Sequence, residues 1–126
     1  MAAPNIVSIA TLVGVTTFTT LANTNATSVV SNASASGASY KITSLIVSNT
    51  SNTDVNYCHV SLNDMAAGAG SNRYIQKNVG IDTGTSLVVL DRASAVYVTE
   101  NQSLVVQAPG RASVLDVTAS YESIED

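Results

Sequence analysis

The residues with the sharpest chemical look are Asp82, Thr83 and Gly84, in the run GIDTGTSLVVL from Gly80 to Leu90. An Asp-Thr-Gly turn between two apolar runs is how an aspartic protease presents its catalytic carboxylate. That chemistry needs two carboxylates about 3 Å apart sharing one proton, because two like charges so close do not both ionise. A chain with one such triplet would have to dimerise to supply the second. The placement argues against it, since too few residues follow Asp82 for the flap hairpin and the second apolar-apolar-Gly segment that such a protease requires. The simpler expectation is a turn: Asp82 opens it, Gly84 supplies a positive φ, and the flanking strands pair as a hairpin.

The other candidates are weaker. His59 is the single histidine, and its nearest carboxylates in sequence, Asp54 and Asp64, do not have metal-ligand spacing. GAGSNR, Gly68 to Arg73, lacks the Gly-Lys-Ser/Thr ending of a phosphate loop, so it reads as a flexible surface loop with Met65 as a contact residue near its tip. No Gly-x-Ser-x-Gly elbow is present, and one histidine cannot serve a convincing Ser-His-Asp set. Glycosylation-type triplets begin at Asn25, Asn32, Asn49 and Asn101, as chance alone produces where Ser, Thr and Asn form a third of the chain. The sequence therefore predicts no catalytic residue, no bound cofactor and no metal, and a protein that is not an enzyme.

What would position any site is a β framework. The 126 residues fit one domain. Valine and the hydroxyl and amide side chains favour strands and turns, and no window sustains a helical period. Strands are expected at Asn5–Thr16 (an arm plus a strand) and Ala26–Ser31. More follow at Tyr40–Asn49, with a slip near Ser44 that reads as a bulge, and at Val55–Leu62, where Cys58, Val60 and Leu62 form the more apolar face. RYIQKNVGI, TSLVVLD, SAVYVTE, SLVVQA and SVLDVTASYE complete about nine short strands at the turn spacing of sandwiches and barrels. All five tyrosines fall on these strands, and Cys58 reads as a small buried thiol. The expected fold is all-β: an antiparallel β-sandwich, jelly-roll-like, with an extended N-terminal arm. Residues 1–22 would be the arm and first strand, and residues 23–126 a single sandwich domain.

Charge is sparse and uneven. Charged residues are 11% of the chain, the net charge is −4, and the first charged side chain is Lys41. An acidic, charge-poor chain is unsuited to binding nucleic acid through phosphate neutralisation, and no apolar run reaches the roughly 18 residues that cross a membrane. A secretory signal is a weak reading of the N-terminus, because it lacks a positive leading region and its apolar positions are broken by Thr and Gly. The preferred reading is an arm and first strands lying against another protein, where an unpaired charge would cost desolvation. Ile6, Val7, Ile9, Leu12, Val13, Val15 and Phe18 are the expected interface residues.

Four segments carry a resemblance: MAAPNIVSIATLVG at the start, TSVVSNASASGASYKITSLIVSNTS, GTSLVVLDRASAVYVTENQSLVVQA, and LDVTASYESI near the end. Across nearly its whole length the chain resembles small virion structural proteins of marine phages and cyanophages. The resemblance implies a β-sandwich subunit present in many copies on a particle, assembled in the host cytoplasm. The expected function is capsid decoration or cementing, with the major capsid protein or another virion protein as partner. Self-association is expected too, with a trimer as one form. The alternatives are a structural role at the neck, tail or fibre base, and a glycan- or receptor-binding sandwich using the 63–73 loop.

Overall fold

The structure, a computed structural model, describes residues 11–125. Among these, nine strands run in the order β1 (Thr11–Thr20), β2 (Thr27–Asn32), β3 (Ala38–Asn49), β4 (Asn56–Asn63), β5 (Asn72–Ile81), β6 (Ser86–Leu90), β7 (Val96–Val98), β8 (Gln102–Gln107) and β9 (Leu115–Glu125). Two single-turn 3-10 helices, Ala66–Gly68 and Arg92–Ser94, are the only helical segments among them. The larger sheet has the order β1-β9-β3-β6, with β7 also paired to β3, and the smaller has β2-β8-β4-β5. All pairings are antiparallel, and the two sheets pack face to face as a β-sandwich.

The inward faces follow from the side-chain alternation of each strand. In β3, Ile42, Leu45 and Val47 are buried although Ile42 and Leu45 are an odd number of residues apart. The register against β9 shifts between Ile42 and Ser44, and this bulge returns Leu45 to the core. Opposite them on β9, Val117 and Ala119 face the same way, and Val60, Leu104 and Val106 from the smaller sheet close the core. Each such aliphatic side chain contributes about 1.5–3 kcal/mol on burial.

Strand ends are tied by buried asparagines. Asn49 donates to the carbonyls of Asp54 (2.9 Å) and Ile81 (2.8 Å) and accepts from the Ser51 backbone N–H (3.0 Å) and the Asn56 amide (3.0 Å). Asn32 donates to the carbonyls of Ala38 and Val98, and Asn63 ties Gly70 by accepting from its N–H and donating to its carbonyl. A short amide at a strand end supplies the backbone partners that a corner would otherwise leave unpaired. Two of these asparagines, Asn32 and Asn49, open glycosylation-type triplets and are buried in the folded chain.

Two expectations need correction. The Asp82 turn forms, with Thr85 N–H and Oγ1 both donating to the Asp82 carbonyl and Gly84 at φ 65°, but it is not a hairpin. Its two flanks belong to different sheets, β5 pairing with β4 and β6 with β3, so the turn crosses from one layer to the other. Local turn chemistry is the same in a hairpin and in a corner, and only long-range pairing separates them. The glycine-rich loop is also not free. Gly68 N–H donates to Ser103 Oγ (3.0 Å), which donates to the Met65 carbonyl (2.7 Å), and Ala67 N–H donates to Ser31 Oγ (2.9 Å). The loop thus lies back on the outer face of the smaller sheet, over Val105.

Candidate interface

Residues singled out for catalysis or ligand binding are scattered. Asp82 lies at a corner between the sheets, and His59 accepts a hydrogen bond at Nδ1 from the Asn78 N–H (2.8 Å), edge-on to Tyr74. That bond satisfies a backbone donor where β5 takes a positive φ at Asn78, which is a structural task. Cys58 is buried, and burial pushes its thiol up to about 11. A thiol held so far above neutrality is a poor nucleophile. Both carboxylate oxygens of Glu100 are buried without a hydrogen-bond partner among the described residues. No group of three or more His, Cys, Asp or Glu is placed to hold a metal ion among the described residues. No helix among them is long and apolar enough to cross a membrane.

The surface with a distinct character is β1 and the outer face of the sheet it edges. β1 pairs with β9 in unbroken register from Thr11 opposite Glu125 to Thr20 opposite Asp116. None of its residues belongs to the core cluster. The chain is anchored immediately afterwards by Leu21, which is fully buried and continues the ladder: its N–H donates to the Leu115 carbonyl (3.0 Å), and its own carbonyl accepts from Ser113 N–H (2.8 Å). The structure divides the expected interface residues between two faces of this strand. Leu12 and Phe18 point outward, Phe18 with 82% of its surface exposed, while Val13 and Val15 lie on the other face, Val15 half-buried beside Tyr121. Ile6, Val7 and Ile9 lie outside the described residues.

Other strands extend the outward face. Phe18 stands opposite Thr118, Thr118 opposite Ile46, and Ile46 opposite Val88, so one row of apolar and methyl-bearing side chains crosses four strands. Val88 is 57% exposed and Tyr97, opposite Lys41, is 42% exposed. Hydroxyls fill the neighbouring rows and bond across the strands, Thr16 to Ser120 (2.9 Å) and Ser48 to Ser86 (2.7 Å). Among the described residues, charge on this face of the ladder is confined to Lys41 opposite Glu122 and to Asp116, which accepts from Thr20 Oγ1 (2.6 Å). Beside Phe18 a groove of about 310 Å³ is lined by Thr19, Thr20, Asp116, Val117 and Thr118. Sequence reasoning missed Ile46, Val88 and Tyr97. The adjacent pair Val88-Val89 carried the signal, because a strand cannot turn both side chains to the same core.

Comparison of the chain with protein-family models, with curated proteins and with solved structures finds no match in any of the three.

Proposed function

We propose that this chain is a non-enzymatic structural protein of a phage virion, acting as a capsid decoration or cement protein that binds the outer shell. The observation that carries the reading is β1: a ten-residue strand with no charge, whose Leu12, Val13 and Phe18 stay outside the core of their own chain. It continues an N-terminal stretch in which no charged side chain occurs before Lys41. Apolar side chains kept out of a core and free of charge fit a surface that is covered by another protein. The adjoining face adds Val88 and Tyr97 amid hydroxyl rows, a surface suited to many weak contacts repeated over a symmetric lattice.

The strand orders support the same reading. Following the chain, β1 lies in the larger sheet, β2 in the smaller and β3 in the larger, and the chain crosses again after β3, β5, β7 and β8. We read this as a jelly roll with β7 as an added strand, an architecture used in viral capsid domains. The resemblance of the sequence to small phage virion proteins points the same way. The partner under this reading is the major capsid protein or another virion protein.

The deciding experiment is the copy number of this chain relative to the major shell protein in purified particles, by quantitative mass spectrometry. A number comparable to that of the shell protein is expected. A few copies per particle would move the protein to the neck, tail or fibre base, and absence from particles would overturn the virion reading. Deleting residues 1–12 is expected to abolish retention on particles while Leu21 and the core remain folded, and unchanged retention would remove the N-terminal stretch from the interface.

A further inference from the structure

The edges of the two sheets are not protected alike. An open strand edge offers unpaired N–H and C=O groups to any other strand, and proteins blunt it with short strands, bulges, lysine or proline. In the smaller sheet, β2 has six residues and a register shift between Ser28 and Val30. At its other edge β5 carries Arg73 and Lys77, two register shifts against β4, and Asn78 at φ 57°. The far side of the larger sheet ends in β6 and β7, of five and three residues. β1 has none of these devices: ten residues, no charge, no proline, unbroken register, and no described strand on its outer side.

We infer that the free edge of β1 pairs antiparallel with β1 of a second copy of this chain, about a two-fold axis at Val15. A second copy is favoured over another strand because the sequence is complementary to itself in this register. Leu12 of each copy falls opposite Phe18 of the other on the outer face, giving two aromatic-aliphatic pairs, and Val13 falls opposite Thr17 on the reverse face. Charge agrees. Each chain carries −4, so association must keep the acids apart, and no charged residue lies on β1. In this register the nearest acids along the ladder, Asp116, Glu122 and Glu125 of β9, stay at least three strand spacings, about 14 Å, from those of the second copy. That exceeds the screening length of about 8 Å at physiological salt. The product is one continuous sheet through both copies, with the Phe18 rows side by side on one face. Such pairing is two-fold and closes at two copies, so it differs from a trimer, and it holds whether or not the chain is carried on a particle.

The test is sedimentation equilibrium of the full chain, with a mass of twice 12.9 kDa expected. Thr16→Lys sets two ammonium groups diagonally across the two-fold axis while touching only an exposed hydroxyl bond to Ser120, and it is expected to weaken association at least about tenfold with thermal unfolding of the monomer unchanged. Val15→Cys places a thiol opposite its own copy, so mild oxidation should cross-link the dimer, whereas Thr19→Cys should not. The buried Cys58 contributes no background to this measurement. A monomer at every concentration sampled would overturn the inference and leave the edge to a strand from another protein. So would a dimer that ignores Thr16→Lys and fails to cross-link through Val15→Cys.

Discussion

β1 and β5 are both ten-residue edge strands, and they solve opposite problems. β5 places Ile81 in the core, packs Ile75 against it, and sets Val79 opposite the buried Cys58 of β4. Its solvent side carries Arg73 and Lys77, and Lys77 lies 4.8 Å from the centre of the Tyr74 ring. β1 contributes nothing to the core and carries no charge to keep other strands away. Equal length and similar strand propensity therefore say little about the role of an edge. What separates the two is whether the inward positions reach a second layer and whether the outward edge is guarded.

The largest effect separates β1 from the residue that follows it. Leu21→Ala removes a fully buried side chain where the chain leaves β1, and is expected to cost about 3 kcal/mol in urea unfolding. Phe18→Ala, in the bulkiest side chain of β1, should change monomer stability by no more than about 0.5 kcal/mol. An equal loss at both positions would put β1 in the core and break the comparison.

Asn49→Ala tests the corner that leads out of β3 and binds the end of β5. It leaves the buried Ile81 carbonyl and the Ser51 N–H without their side-chain partners, and is expected to cost about 2–3 kcal/mol. Thermal unfolding of the variant checks this.

Cys58, on β4 opposite Val79 of β5, should titrate late. The folded thiol holds its proton to about 11 against 9.0 for the free group, because burial disfavours the thiolate. Between those values the unfolded chain has released the proton and the folded chain has not, so stability falls as pH rises from about 9 to 11 and is unaffected below. Replacing Cys58 with Ala should flatten that part of the stability-pH curve, and native Cys58 should react with a thiol reagent only on unfolding.

The smallest effect concerns the guards on β5. Arg73→Thr with Lys77→Thr in a Thr16→Lys background should leave the chain monomeric, because the register shifts and the positive φ at Asn78 still break the edge. Association of this variant would show that charge alone protects β5, and would sharpen the reading of uncharged β1.

Much of the fold was legible from local pattern. Alternation in YKITSLIVSN placed β3 and its bulge within a residue or two, and turn residues separated nine strands. The candidate surface was legible only in part, as the apolar run containing Leu12, Val13, Val15 and Phe18. Two-residue alternation divides this run between two faces, but that Val88, Ile46 and Tyr97 join one of them could not be read from it. Those neighbours come from strands far along the chain, and β1 itself pairs with the last strand, with Thr16 bonded to Ser120.

By itself, the sequence determined that the chain is built of strands, where they turn, and that its N-terminal part carries no charge. These rest on quantities set within a few residues: the two-residue side-chain period, the φ that Gly84 permits, and the composition of a segment. Only the tertiary structure decided that the Asp82 turn joins two sheets, that Asn32, Asn49 and Asn63 are buried clasps, that the loop after β4 is tied down, and that β1 is the edge strand of its sheet among the described residues. Each depends on which distant strand takes up a given row of N–H and C=O groups. Alternation along one strand says which side chains share a face, but not what lies beyond its edge.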